Sequence, residues 1–465
     1  MPQDVRWTSL DLPEFGLPSV EPQIPEEEYD ARIAAARAAM KRAHLDVLVV
    51  YGDREHFANL AWLTGYDPRF EESLAVLTRD DGQLTLFVGN EGVGYAGLSP
   101  VEMNVELFQT FSLLSQPRDK VVPLRKLLRK AGVKRTARVG VVGWKYFERG
   151  EVRNPKIASE LPAFLMSEII AAAPVWTHAN ATSLFMHPTD GLRAVNSVHQ
   201  LAQMEFGATL ASQMVRDAIF NLRVGMTEQE AVRAMKYCGV PLSCHLMLTA
   251  GERARVGLAS PSLRKLQLGD PITMAVGLWG GLTARAGFLA RDEKDLSPNI
   301  RDWLDKLVKP YFRAAAAWYE TIGIGVTGGE IYKTVHSIIG DPFFGVTLNP
   351  GHLIHLDEWV SSPVTKNSKQ KFASGMAVQC DIIPATGTAY FTTNIEDGIA
   401  LADEKLRAEF SQKYPEAWGR IEARRKFMRE QVGIQLKPEV LPFSNLCAYL
   451  PPFFLSPRCA LQLRG

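Results

Sequence analysis

Cysteine is scarce in this chain: Cys238, Cys244, Cys380, Cys447 and Cys459 are odd in number and never in Cys-x-x-Cys spacing. That pattern argues against a disulfide framework or a thiolate zinc site and for reduced structural thiols. An excess of charge of either sign is missing too. The 52 Lys and Arg residues against 51 Asp and Glu leave a formal charge of +1, so there is no electrostatic footprint for nucleic acid or an anionic membrane. No apolar run approaches the roughly 20 residues that cross a bilayer. The opening Met-Pro-Gln-Asp-Val-Arg-Trp lacks the apolar centre of a secretory signal, and a cytoplasmic location is expected. What is present is a globular composition. With 465 residues, 46% of them hydrophobic, the chain can bury full cores in two or three domains.

The pattern along the chain places those domains. Residues 1–27, rich in Pro, Glu and Gln, read as an extended arm. Apolar positions recur every three to four residues over 28–40, which predicts an amphipathic helix, and 46–51, 73–78 and 84–88 read as strands. Strands alternating with helices indicate an α/β layer arrangement. The Pro- and Gly-punctuated stretch 186–191 is the candidate linker. Beyond it, a helix is expected over about 195–222, a capping box at Thr227 and Glu230, strands and turns through 240–295, a helix over 299–322, and strands with loops over 343–400. The last part, 409–465, reads as a charged helix at 415–431 and a Pro- and Phe-rich tail.

Several short motifs stand in a suggestive order: Asn59-Leu-Ala-Trp-Leu-Thr-Gly-Tyr66, Gly225-Met-Thr-Glu228, Gly269-Asp270, Gly351-His352, Gly375-Met376 and Ile395-Glu396-Asp397. In their joint order and spacing the sequence resembles the creatinase, aminopeptidase P and methionine aminopeptidase family, the pita-bread proteins. The resemblance implies an α/β (α+β) protein. An N-terminal creatinase-type α/β domain over 28–187 precedes a pita-bread domain over 188–408, commonly as a homodimer. It also exposes a gap, because family peptidases place two metal-binding aspartates where this chain has no carboxylate between Asp270 and Asp292. The first aligns with Ala275 and the second with Arg285 or Ala286. Two further family histidines align with Leu258 and Leu348, and a third with Trp359. Three ligand positions persist, at His352, at Asp381 where the family has a glutamate, and at Glu396.

A binuclear hydrolase needs shared carboxylates between two cations, so the resemblance implies a divergent member. One imidazole and two carboxylates still suit a single divalent metal ion; no cofactor at all is the other expectation. For a metal-free site, His352 is the first choice of general base, tuned by Asp381 and Glu396, with Glu358 and Asp357 next. Arg285 is expected to meet an anionic substrate group or to pair with Asp381 or Glu396. Trp359 and His355 are candidates to wall the pocket. Tyr66 and Arg69, in the turn 64–72, are candidates to reach a partner subunit's site. Structural roles remain open for His355, Asp357 and Arg285.

The leading functional expectation is a creatinase-like, non-peptidase hydrolase or lyase acting on a small polar nitrogen-containing metabolite without a binuclear metal centre. A mononuclear metal-dependent aminopeptidase or amidase is one alternative, and a catalytically silent pita-bread binding protein is another. Silent relatives often carry basic insertions, which this near-neutral chain lacks, and the balance falls toward an enzyme.

Overall fold

Strand β1 (Asp4–Ser9) forms within the segment expected as an extended arm. Val5 is buried and Trp7 packs edge-on against Phe453, with ring centroids 5.2 Å apart. The computed structural model describes residues 4–464 except 81, 175 and 176. It divides into two units, Ile24–Arg193 and, from Ala194 onward, the rest of the chain joined by the segment that precedes Ile24.

The helix Glu26–Arg42 opens the first unit with three glutamates in its first turn and Lys41 and Arg42 in its last, charges that complement the helix dipole at both ends. Then come β2 (Val47–Gly52), β3 (Ser73–Thr78), β4 (Thr85–Val88), β5 (Asn104–Leu107), β6 (Val139–Val142) and β7 (His178–Asn180). They form one mixed sheet in the order β5-β4-β3-β2-β6-β7. The central strand β2 is buried along its whole length, as its unbroken apolar sequence requires. The motif around Asn59 is a short helix, Ala58–Thr64, stopped by Gly65 at φ +67°. Asn59 serves the fold, since its amide donates to the Gly143 carbonyl at 2.7 Å and its oxygen accepts from Arg193 at 2.8 Å.

The second unit is organised by the helix Val198–Asn221, whose first turn is capped by the Ser197 hydroxyl accepting from the Gln200 N–H. Its sheet contains β8 (Met247–Ala250), β9 (Pro271–Leu278), β10 (Gly281–Phe288), β11 (His352–Leu353), β12 (Ala377–Asp381), β13 (Asn394–Leu401) and β14 (Val440–Pro442). The order is β11-β12-β13-β10-β9-β8, with β14 added to β13. The helix lies against the β9–β10 hairpin so closely that a Cβ at Gly281 would collide with the Ala208 backbone, which accounts for glycine at the turn. The capping box of Thr227 and Glu230 is formed in both directions.

The helix expected over 299–322 forms, with a 3-10 turn at Pro298–Ile300 before it, a π-turn at Leu304–Val308 and an α-helix at Lys309–Thr321; Pro310 has no N–H to continue the ladder, and the wider turn absorbs the gap. The tail is not a separate appendage. The helix Pro415–Phe427 is tied to the long helix by Glu205, which is fully buried and accepts from Arg420 at 2.6 Å and Arg424 at 2.7 Å. The last strand, β15 (Cys459–Arg464), pairs antiparallel with β1 from Ser9↔Cys459 to Asp4↔Arg464. Among the described residues, no helix is long and apolar enough to cross a membrane.

Candidate functional site

Four strands of the second unit share one row of directly opposed residues: Ala275 on β9, Ala284 on β10, Glu396 on β13 and Asp381 on β12. Opposed residues in an antiparallel sheet point to the same face, so Glu396 and Asp381 face the same side as the two alanines. The neighbouring row brings His352 of β11 opposite Gln379. Gly351 sets up that placement, since it adopts φ +124° and a Cβ there would stand 2.8 Å from the Gln379 carbonyl. Gln379, which the sequence motifs did not single out, is fully buried and donates to the Leu282 carbonyl at 2.7 Å.

His352, Asp381 and Glu396 converge so that one ligand atom from each lies within 4.8 Å of the others. The imidazole Nε2 is 3.8 Å from Asp381 Oδ2, 3.8 Å from Glu396 Oε1 and 3.3 Å from Glu358 Oε1. On its other side Nδ1 lies 3.2 Å from the Leu353 carbonyl, which can only accept, so Nδ1 carries the proton and Nε2 can turn a lone pair toward the acids. That is the arrangement by which a ligand histidine is oriented. Nε2 and Asp381 Oδ1 are buried without a hydrogen-bond partner, and the ring is stacked on Trp359 at 4.1 Å between centroids.

Crowding the buried carboxyls of Asp381 and Glu396 beside the half-buried Glu358 costs charge. Burial first, then the charge of Glu396, pushes Asp381 well above the ordinary carboxylate range. Glu396 is raised likewise by burial and then by Glu358, and Glu358 by burial, against the pull of His352. A cation among them, or protons, relieves this strain. Cys244, also missed by the motifs, lines the same cavity; burial and the nearby Glu358 and Glu396 push its thiol up to about 12, so it remains a neutral thiol.

The acids Glu358, Asp381 and Glu396 line a cavity of about 570 Å³ together with Trp359. Thr273, Ala275, Ala284 and Ala286 also line it; the period-2 alternation of β10 puts the Ala284 and Ala286 side chains on this face and the Arg285 side chain on the other. The sequence expectation that Arg285 pairs with the Asp381 or Glu396 carboxylate is corrected: its side chain turns away from both. Its fully buried guanidinium pairs with Asp397 at 2.7 Å and donates to the carbonyls of Ala284, Leu446 and Tyr449 at 2.7–2.9 Å. The same alternation separates Glu396 from Asp397, and that signal was available in the strand pattern.

His355 is buried and its Nδ1 accepts from the Leu356 N–H at 2.8 Å, while the buried Asp357 accepts from the His355 N–H through its carbonyl at 3.1 Å. Both hold the loop that carries Glu358. Tyr66 and Arg69 belong to the Ile24–Arg193 unit. Tyr66 is buried against Tyr95, and Arg69 pairs with Asp67 at 2.8 Å while lying over the Phe57 ring.

Residues 32–146 match the Creatinase/Prolidase N-terminal domain. No curated protein matches the chain. Among solved structures it resembles a prolidase from Pyrococcus horikoshii OT3, with 16% identity, a TM-score of 0.60, and coverage of 80% of this chain and 95% of that one. A dipeptidase PepE from Mycobacterium ulcerans gives 20%, 0.59, 82% and 95% in the same terms. An X-Pro aminopeptidase from Thermotoga maritima MSB8 gives 12%, 0.59, 80% and 95%. At these identities the likeness establishes the fold.

Proposed function

We propose that this chain, which has the two-part fold of the creatinase, aminopeptidase P and prolidase family, is a hydrolase that cleaves a carbon–nitrogen bond in a small nitrogen-containing metabolite, using one cation site in place of a binuclear centre. The observation that carries the reading is the convergence of His352, Asp381 and Glu396, with one ligand atom from each within 4.8 Å of the others. With Nδ1–H held by the Leu353 carbonyl, a bare Nε2 faces two buried carboxylates that lack a counterion. The row that holds Glu396 and Asp381 continues into Ala284 and Ala275, whose side chains offer a second ion no ligand oxygen, and this supports a single-ion site. A single ion does fit, held by His352, Asp381 and Glu396, and when bound it supplies Lewis acidity toward a carbonyl or a water.

The protein's own groups divide the remaining work. Glu358 borders the cavity, and burial raises its carboxyl above the ordinary value against the pull of His352, the direction that suits a group assigned to take and return a proton. His352, fully buried under Trp359, orients the acids rather than acting as the base. A neighbouring subunit completes the site in this reading, with Arg69 in the turn 64–72 reaching the partner's cleft in a homodimer, whereas Tyr66, buried against Tyr95, stays within its own unit. A screen of amides and guanidines against the purified protein tests the activity. Turnover that falls at least a hundredfold in Glu358→Gln is expected. No turnover of any carbon–nitrogen substrate, with or without added divalent metal, leaves the silent binding protein as the reading.

A further inference from the structure

The walls of the cavity constrain its occupant as strongly as the acids do. Three carboxyl groups, those of Glu358, Asp381 and Glu396, gather at one end of the cavity, so a cationic side chain for a substrate carboxylate would have to come from the other walls. Two arginines border the cavity, and both are engaged. Arg285 is turned to the other face of the sheet. Arg255 is paired with Glu252 at 2.8 Å, donates to the Thr388 carbonyl at 3.1 Å and lies over the Phe391 ring at 4.5 Å. His245, also on the border, is directed to the Leu258 carbonyl at 2.8 Å. A substrate carboxylate entering this cavity would lose its water and gain no free cationic side chain among the described residues around it.

The rest of the lining is apolar. Met247, Met274, Leu282, Trp359 and Phe391 form walls, and at the open side Val256, Leu258 and Leu348 are 74%, 63% and 52% exposed. Large apolar side chains gathered in the open around a cavity signal a surface that a ligand covers. Leu258 and Leu348 are also the two places where the resemblance puts histidines, so polar groups are replaced by hydrocarbon at the mouth.

We infer that the occupant has an apolar body of about phenylalkyl size, a neutral or cationic nitrogen head and no carboxylate. The inference rests on the proposed function and names its substrate class. Hydrolysis adds water across the carbon–nitrogen bond of such an amide, giving an amine and an acid. The acid ionises at neutral pH and meets no free cationic side chain among the described residues around the cavity, which favours release of that product.

The test uses three ligands on one frame, 4-phenylbutylamine, 4-phenylbutyramide and 4-phenylbutyrate, titrated calorimetrically into the protein as purified, with acetamide as the short control. Amine and amide are expected to bind at least tenfold more tightly than the carboxylate, and acetamide at least tenfold more weakly than phenylbutyramide. Leu258→Arg and Leu348→Asp, at exposed positions that leave the fold intact, are expected to narrow the carboxylate gap and to weaken the phenyl ligands respectively. Tightest binding by phenylbutyrate, or equal binding of acetamide and phenylbutyramide, overturns the inference. Metal content and amide turnover, measured on the same preparation, report separately on the hydrolase reading. A preparation that turns over carboxylate-bearing substrates refutes the substrate class and leaves the hydrolase standing. One that binds in the expected order without turnover supports the class and refutes the hydrolase.

Discussion

Replacing Arg285 with Leu separates a structural arginine from a substrate-binding one. The guanidinium is 0% exposed and its partner Asp397 carries 2% side-chain exposure, so the substitution strands a buried carboxylate. Losing one partner of such a pair costs about 3–5 kcal/mol. Asp397 keeps the Ser444 hydroxyl at 2.6 Å and the Ala448 N–H at 3.0 Å, which places the expectation at the lower end, about 3 kcal/mol. For a unit of about 290 residues the unfolding entropy is near 0.6 kcal/mol/K, and Tm falls by about 5 °C. Urea denaturation followed by tryptophan fluorescence measures the loss. Adding Asp397→Asn removes the stranded charge and is expected to return about 1–2 kcal/mol, although the carbonyls of Ala284, Leu446 and Tyr449 stay without their donor. A loss below about 1 kcal/mol, accompanied by weaker binding of an anionic ligand, refutes the structural role and restores Arg285 to the substrate.

Glu205→Gln is expected to cost about 3 kcal/mol at pH 7, because Arg420 and Arg424 lose a buried counterion. Burial pushes the Glu205 carboxyl up, but Arg424 and Arg420 outweigh it and hold it below 4.5; its contribution is therefore present above that value and lost as pH falls through the lower, folded-state one. Urea melts at pH 7 and pH 3 should show the gap between wild type and variant closing in acid, and a constant gap contradicts the assignment. Gly281→Ala drives a methyl into the Ala208 backbone and is expected to destabilise by about 1–3 kcal/mol, with Gly94→Ala, where a Cβ meets nothing within 4 Å, as the neutral control in thermal melts. Mixing inactive Arg69→Ala and Glu358→Gln protomers restores turnover if the site is shared between subunits; no recovery in proven heterodimers removes the partner's role.

Local signals carried the elements well where period and caps agreed. The strand Ser73–Thr78 and the Thr227–Glu230 box are direct consequences of alternation and spacing. His352, Asp381 and Glu396 lie far apart in sequence, and only the ordered motifs suggested that they meet. The sequence leaves the pocket-facing position open between Arg285 and Ala286, because the doubled Gly280-Gly281 makes the register uncertain by one residue. Strand alternation from Ala275, across the paired Ala284 to Glu396, assigns the alanines to the cavity and the arginine to the opposite face. The closing role of the termini was not legible, since the β1–β15 pairing joins residues from opposite ends of the chain, and no local window contains it.

The most direct test of the central claim is divalent metal stoichiometry, by elemental analysis after equilibrium dialysis against manganese or zinc, for wild type and for His352→Ala and Glu396→Gln. The account predicts one equivalent per chain in the wild type, lost in both variants. Two equivalents, or one that persists when His352 and Glu396 are replaced, contradict it.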